Sequence, residues 1–237
     1  MQNQLKNCIG DSVKAIDGDL GKVNEFYFDD QTWTIRYMVV ETGTWLLSRK
    51  VLLSTVALDK PRWEAREFPV NLTREQVRNS PDIDTQRPVS RQHEAELHDY
   101  YRWPQYWEGG YGGIFGITPY PVFENSLQKG PSDENRHDDP HLRSTHNVTG
   151  YSLHATDGEI GHVADFVVDD EDWTLRNLIV NTGNWLLGKK VLISPSWIKS
   201  VDWDESSMHL YRSMEEVKNS PALDSLENLY RDFADKR

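Results

Sequence analysis

Residues Asp17-Gly18-Asp19-Leu20-Gly21-Lys22-Val23 return 140 positions later as Asp-Gly-Glu-Ile-Gly-His-Val, starting at Asp157. The offset holds without a gap from Gly10/Gly150 to Asp84/Asp224, with about 30 identities over roughly 75 aligned positions. Trp33 pairs with Trp173 and Arg36 with Arg176. Thr42-Gly43 matches Thr182-Gly183, Trp45-Leu46-Leu47 matches Trp185-Leu186-Leu187, and Lys50-Val51-Leu52 matches Lys190-Val191-Leu192. Asn79-Ser80-Pro81 matches Asn219-Ser220-Pro221. A duplication of this length divides the chain into a first repeat (1–84), a connector (85–149) and a second repeat (150–237). Each repeat is near the size at which a lone core is marginal, so the repeats or the connector are expected to pack on one another.

Within one repeat the signals are those of short strands. Asp17-Gly18 is a turn dipeptide, and Lys22 to Phe28 is rich in β-formers. Asp29-Asp30-Gln31-Thr32 reads as a turn. Trp33 to Glu41 alternates with apolar residues on both faces, as a central strand does. Trp45-Leu46-Leu47 and Lys50 to Leu53 predict further strands, and Trp63 to Val70 one more. Strands at this spacing indicate a mainly β fold, an antiparallel barrel or sandwich. Thr73 with Gln76, and Ser213 with Glu216, carry the capping-box spacing of a short helix that Pro81 or Pro221 ends. After Leu223, the residues Leu226, Leu229, Tyr230 and Phe233 fall at helical spacing and predict an amphipathic C-terminal helix.

The connector reads as a helix from Ser90 to Trp103 with Leu97, Tyr100 and Tyr101 as its apolar stripe, then a glycine-aromatic run to Gly116. That run lacks the Gly-Lys-[Ser/Thr] ending of a phosphate loop. His93 and His98 are five apart, about 140° around a helix, so they do not share a face as metalloprotease ligands do, and the reading is a solvated face. His137, Asp138, Asp139, His141 and His146 have no fixed ligand spacing. Asp29-Asp30 and Asp169-Asp170 lack the pattern of a calcium loop and read as hairpin acids. No metal, cofactor or catalytic group is therefore expected, and the shared residues serve a fold rather than chemistry.

The net charge of −12 opposes a broad phosphate-binding face, so no direct nucleic-acid binding is expected. No run of 18 apolar residues spans a bilayer, and Met1 to Lys6 lacks the core of a signal peptide. Cys8 is the only cysteine, as suits a reducing cytoplasm. Nine tryptophans and ten tyrosines mean core filling and interface anchoring.

The repeated pattern Asp-Gly-x-[Leu/Ile]-Gly-x-Val, Asp-Asp, Trp-x-[Ile/Leu]-Arg, Thr-Gly, Lys-Val-Leu resembles the PRC-barrel family, known from the photosynthetic reaction centre H subunit and the ribosome maturation factor RimM. The connector, with His93 to Trp107 and Asp139 to Ser144, is similar to that of bacterial tandem PRC-barrel proteins. The resemblance implies two tandem β-barrels that act by docking to other macromolecules. The expectation is a non-catalytic bacterial cytoplasmic assembly module that self-associates and binds an unidentified protein. Its candidate surfaces are the hairpins Trp45-Leu46-Leu47 and Trp185-Leu186-Leu187 and the connector aromatics Tyr100, Tyr101, Trp103 and Trp107. An accessory to photosynthetic electron or proton transfer, by family analogy, and a metal-dependent enzyme using the connector histidines stand as the alternatives.

Overall fold

The structure is a computed structural model that describes residues 1–81, 89, 91–107, 141–183, 186, 188–221 and 223. Among the described residues, thirteen strands and five α-helices run in chain order. They are β1 (Gln2–Gln4), α1 (Leu5–Cys8), β2 (Ser12–Ala15), β3 (Gly18–Asp29), β4 (Thr34–Glu41), β5 (Lys50–Ser54), β6 (Glu67–Pro69), α2 (Arg74–Arg78) and α3 (Arg91–Tyr101). Then follow β7 (Leu142–Ser144), α4 (Thr145–Val148), β8 (Ser152–Ala155), β9 (Gly158–Asp169), β10 (Leu175–Asn181), β11 (Lys190–Ile193), β12 (Ile198–Asp202), β13 (Ser207–Leu210) and α5 (Met214–Lys218). Two compact units form: Cys8–Ser144, and Met1–Asn7 with Thr145–Arg237.

The first-repeat unit holds a six-stranded sheet ordered β5-β4-β3-β2-β6, with β7 also on β3. The other holds a seven-stranded sheet ordered β11-β10-β9-β8-β13-β12, with β1 also on β9. Among the described residues neither path closes into a barrel. Nor is either sheet wholly antiparallel, as the sequence reading had it: β2 pairs with β6, and β8 with β13, in parallel. The chain reaches β6 only after three intervening strands, and a long crossover of that kind permits parallel pairing. The first repeat lacks a counterpart of β12. Its equivalent stretch makes only the isolated bridges Leu58↔Val70 and Arg62↔Glu67. Pro61 stands where the second repeat has Val201, and a proline cannot donate to a ladder.

The repeated glycines have a direct cause. Gly21 and Gly161 take φ +151° and +147°, and a Cβ there would meet Glu41 O or Asn181 O at 2.0 Å. Both long strands must cross their hairpin partner this closely. Both capping boxes form, with Thr73 N–H donating to Gln76 Oε1 at 2.8 Å and Ser213 N–H to Glu216 Oε2 at 2.8 Å.

In the first-repeat unit β3, β4 and β5 bury residues on both faces. Phe26 pairs with Met38, Met38 with Leu53, and Val40 with Val51, so these buried side chains share one face. Tyr27, Tyr37, Val39 and Leu52 share the other, packed with Val89, Leu97 and Leu142. In the second unit the matching positions Val167, Ile179 and Leu192 pack with Leu223. The rest of the expected C-terminal helix lies outside the described residues.

Candidate interaction surface

Trp45-Leu46-Leu47 does not extend as a strand. Residues Gly43–Leu46 make a 3-10 turn, and Leu47 and Ser48 follow with φ 55° and 56°. Two successive non-glycine residues in the left-handed region cost on the order of 1–2 kcal/mol each and persist only where the surroundings hold them. Here they do. Thr42 Oγ1 and Thr42 N both donate to Arg49 O, at 2.7 and 3.0 Å, and Ser48 N donates to Gly43 O at 2.6 Å. Arg49 in turn donates to Arg78 O at 3.2 Å, Ser80 O at 2.8 Å and Pro81 O at 2.7 Å, tying the loop to the end of α2. Trp45 is not presented outward. Its Nε1 donates to Leu20 O at 2.7 Å, and the Arg74 guanidinium lies 4.4 Å from the ring centroid, with that of Arg78 at 5.9 Å. Leu46 is half-buried. The loop therefore projects one large apolar side chain, Leu47, at 94% exposure.

The second copy closes its loop in the same way, with Thr182 Oγ1 donating to Lys189 O at 2.8 Å. Gly188, at φ 72°, stands where the first copy has Ser48, which spares it the steric strain. Leu186 is half-buried, and Trp185 and Leu187 lie outside the described residues.

Helix α3 forms as expected, but its inner face differs from the expected one. Glu94, Leu97 and His98 are 2%, 2% and 1% exposed, and Tyr101 follows at the same helical spacing. Only His93 of the histidine pair faces solvent. The solvated-face reading fails because Tyr37, projecting from β4, offers a buried hydroxyl for both polar residues. That hydroxyl donates to Glu94 Oε1 at 3.0 Å and lies 2.7 Å from His98 Nε2. His98 Nδ1 donates to Pro104 O at 2.9 Å, since a carbonyl only accepts. Tyr106 also donates to Glu94 Oε1, and Arg36 stacks 4.1 Å from the Tyr106 ring centroid. Buried polar groups cost little only when satisfied in this manner.

The connector aromatics gather around His98. Trp103, Tyr106 and Trp107 lie 5.7, 6.0 and 4.8 Å from its ring, and Tyr101 stacks on Trp103 at 4.2 Å. Tyr101, Trp103 and Trp107 are half-buried, and burial pushes the Tyr101 hydroxyl up to about 12. Tyr100 is the exposed member, and its hydroxyl donates to Gln76 O of α2 at 2.8 Å. One short helix thus joins the two candidate surfaces of this unit: Arg74 and Arg78 cover Trp45, and Gln76 holds Tyr100. The sequence reading missed Tyr37, Glu94, His98 and Tyr106. The spacing of Glu94, Leu97, His98 and Tyr101 carried the signal, hidden because two of the four residues are polar.

The paired acids organise turns. Asp29 Oδ1 accepts from Gln31 N at 2.9 Å and Thr32 N at 3.0 Å, while Oδ2 meets Arg36 at 3.4 Å. Trp33 closes this turn with φ 53° rather than opening the strand, and Trp173 repeats it at 59°. Asp30 pairs with Arg143 at 2.8 Å, although burial raises its carboxyl above the usual range. Asp165 is 4% exposed, and burial pushes its carboxyl up to about 6. Among the described residues no three His, Cys, Asp or Glu side chains converge on a metal site, and no helix is long and apolar enough to cross a membrane.

The PRC-barrel domain model matches residues 142–205, a stretch that begins at β7 and runs through β12. A PRC-barrel domain is a module of protein-interaction type. No curated protein matches the chain significantly.

Proposed function

We propose that the chain is a non-catalytic protein-interaction and assembly module built from two PRC-barrel-like repeats, working in the cytoplasm and self-associating. One observation carries the reading: a leucine at 94% exposure held out by two left-handed residues on a loop fixed by six hydrogen bonds. Strain kept at an exposed apolar tip serves contact with something else, because it adds nothing to the core. Burying such a side chain in a partner contributes about 2 kcal/mol. Tyr100, bonded to Gln76 of α2, and the half-buried Trp103 and Trp107 are the second part of the surface, while Arg74 and Arg78 of the same helix lie over Trp45. Rigid aromatics and arginines of this kind act as interface anchors.

The test is capture from native lysate of the source cells, comparing the full chain with Leu47→Asp and with Tyr100→Ala. A protein retained by the parent chain and lost with Leu47→Asp is the expected result. Equal recovery by all three chains would remove this surface from the reading.

A further inference from the structure

Each unit completes its longest strand with a segment from outside its own repeat: the start of the first repeat on β9, and the end of the connector on β3. On β9, residues 167–169 pair with Gln2–Gln4; on β3, residues 27–29 pair with Leu142–Ser144. The two lead-ins are equivalent at the 140-residue offset, and their registers match: Gln2 opposes Asp169 as Leu142 opposes Asp29. Their backbone anchors match as well. Asp170 N donates to Met1 O at 3.0 Å, and Asp30 N donates to His141 O at 2.9 Å. The side-chain fastenings differ. Arg143 meets Asp30 just past β3 and Ser144 meets Glu25 on β3, whereas Lys6 N meets the buried Asp165 at 3.1 Å on β9.

Such a slot reads backbone. It recognises a short extended segment through ladder hydrogen bonds, as sheet edges do when they accept an added strand. An identical segment exists only on another copy of this chain. We propose that the chain dimerises by trading residues 1–7, the lead-in of one copy entering the β9 slot of the other and the reverse. Every contact within the slot is reproduced in the exchanged form, so the two forms differ chiefly in tether entropy. The element that must leave is small: three half-buried ladder residues and one helical turn, α1, whose Leu5 is 2% exposed. A chain-terminal segment this short, with one core side chain to withdraw, opens below the global unfolding free energy. Once it leaves, β9 shows an unpaired edge at residues 167–169, which another strand readily fills. This specifies the self-association within the function proposed above and rests on that part of it, without using the Leu47 surface.

The experiment uses the full chain with Cys8→Ala, Asn3→Cys and Val168→Cys, the last two being register partners. Equal amounts of isotopically light and heavy chain are unfolded together and refolded, then oxidised. Refolding is done at about 10 μM and at about 1 mM, concentrations that reach the millimolar effective concentration of a short tether. A mixed-label peptide joined through positions 3 and 168 reports exchange, and a same-label peptide reports the closed monomer. The expected mixed fraction rises roughly tenfold or more between the two concentrations. The unmodified chain refolded in the same way gives a second readout: a dimer by light scattering that persists on dilution. Same-label peptide alone with a monomer at both concentrations overturns the proposal. Leu47→Asp separates the two readings, since it leaves exchange intact whatever becomes of partner capture.

Discussion

Replacing Tyr37 by phenylalanine tests what holds the connector helix to the first-repeat sheet. The ring stays and the core loses no volume, so the effect isolates one hydroxyl. That hydroxyl serves Glu94 at 3.0 Å and His98 at 2.7 Å, and all three residues are 2% exposed or less. Losing a hydrogen bond inside a protein costs about 1 kcal/mol between neutral groups and about 1.5–3 kcal/mol where one group is charged. Two such bonds lost together give about 2–4 kcal/mol. The counterpart position, Asn177, is half-buried, and Asn177→Ala is expected to cost under about 1 kcal/mol. Urea unfolding followed by tryptophan fluorescence gives the stability change, and amide hydrogen exchange over residues 91–101 locates it. Exchange there should accelerate more than in the second repeat. The combined variant Tyr37→Phe, Glu94→Leu, His98→Leu should recover part of the loss, because an apolar replacement of a whole buried network is often near neutral. A cost under about 0.5 kcal/mol with unchanged exchange in α3 would refute the claim that this network docks the helix.

Three further outcomes follow from the same geometry. Asp165 has its carboxyl raised from 3.8 to about 6, first by burial. A raised carboxyl favours the folded state when protonated, so this contribution is complete below about pH 4 and fades as pH climbs through about 6, a span of about 3 kcal/mol. Asp165→Asn should remove that slope from a stability-against-pH series, and an identical slope in both chains would contradict it. Gly161→Ala should cost more than about 3 kcal/mol, since its Cβ would sit 2.0 Å from Asn181 O, while Gly43→Ala, which meets nothing within 4 Å, should cost about 1 kcal/mol. Leu47→Asp should change thermal stability by less than about 0.5 kcal/mol, because the side chain is 94% exposed.

Much of the fold was legible because duplication printed its constraints twice. The glycines of the close hairpin crossing, the capping boxes and the central strands all stand at matched positions. Three features were not legible. Trp45-Leu46-Leu47 has the composition of a strand, yet the closure from Thr42 to Arg49 bends it into a turn, a tertiary override of local preference. Parallel pairing of β2 with β6 leaves no local mark, since either direction satisfies the same alternation. The buried face of α3 contains a glutamate and a histidine, and polar residues read as solvent-facing until a partner such as Tyr37 is known.

The two copies differ in how one face of the sheet is covered. On each sheet the same four positions form the outer face: Tyr27, Tyr37, Val39 and Leu52 in one, Val167, Asn177, Ile179 and Leu192 in the other. In the first copy that face takes a helix whose glutamate and histidine require the Tyr37 hydroxyl. In the second an asparagine stands in its place and Leu223 packs on the apolar positions. A hydroxyl with defined donors admits one cover in one register, because a misplaced cover strands buried polar groups. An apolar patch with a single asparagine discriminates less. The polar network therefore does more than stabilise: it fixes where α3 sits, and with it Tyr100 on α2, the helix whose Arg74 covers Trp45. If the connector surface binds a partner, Tyr37→Phe should weaken capture without touching one exposed residue, and Asn177→Ala should not.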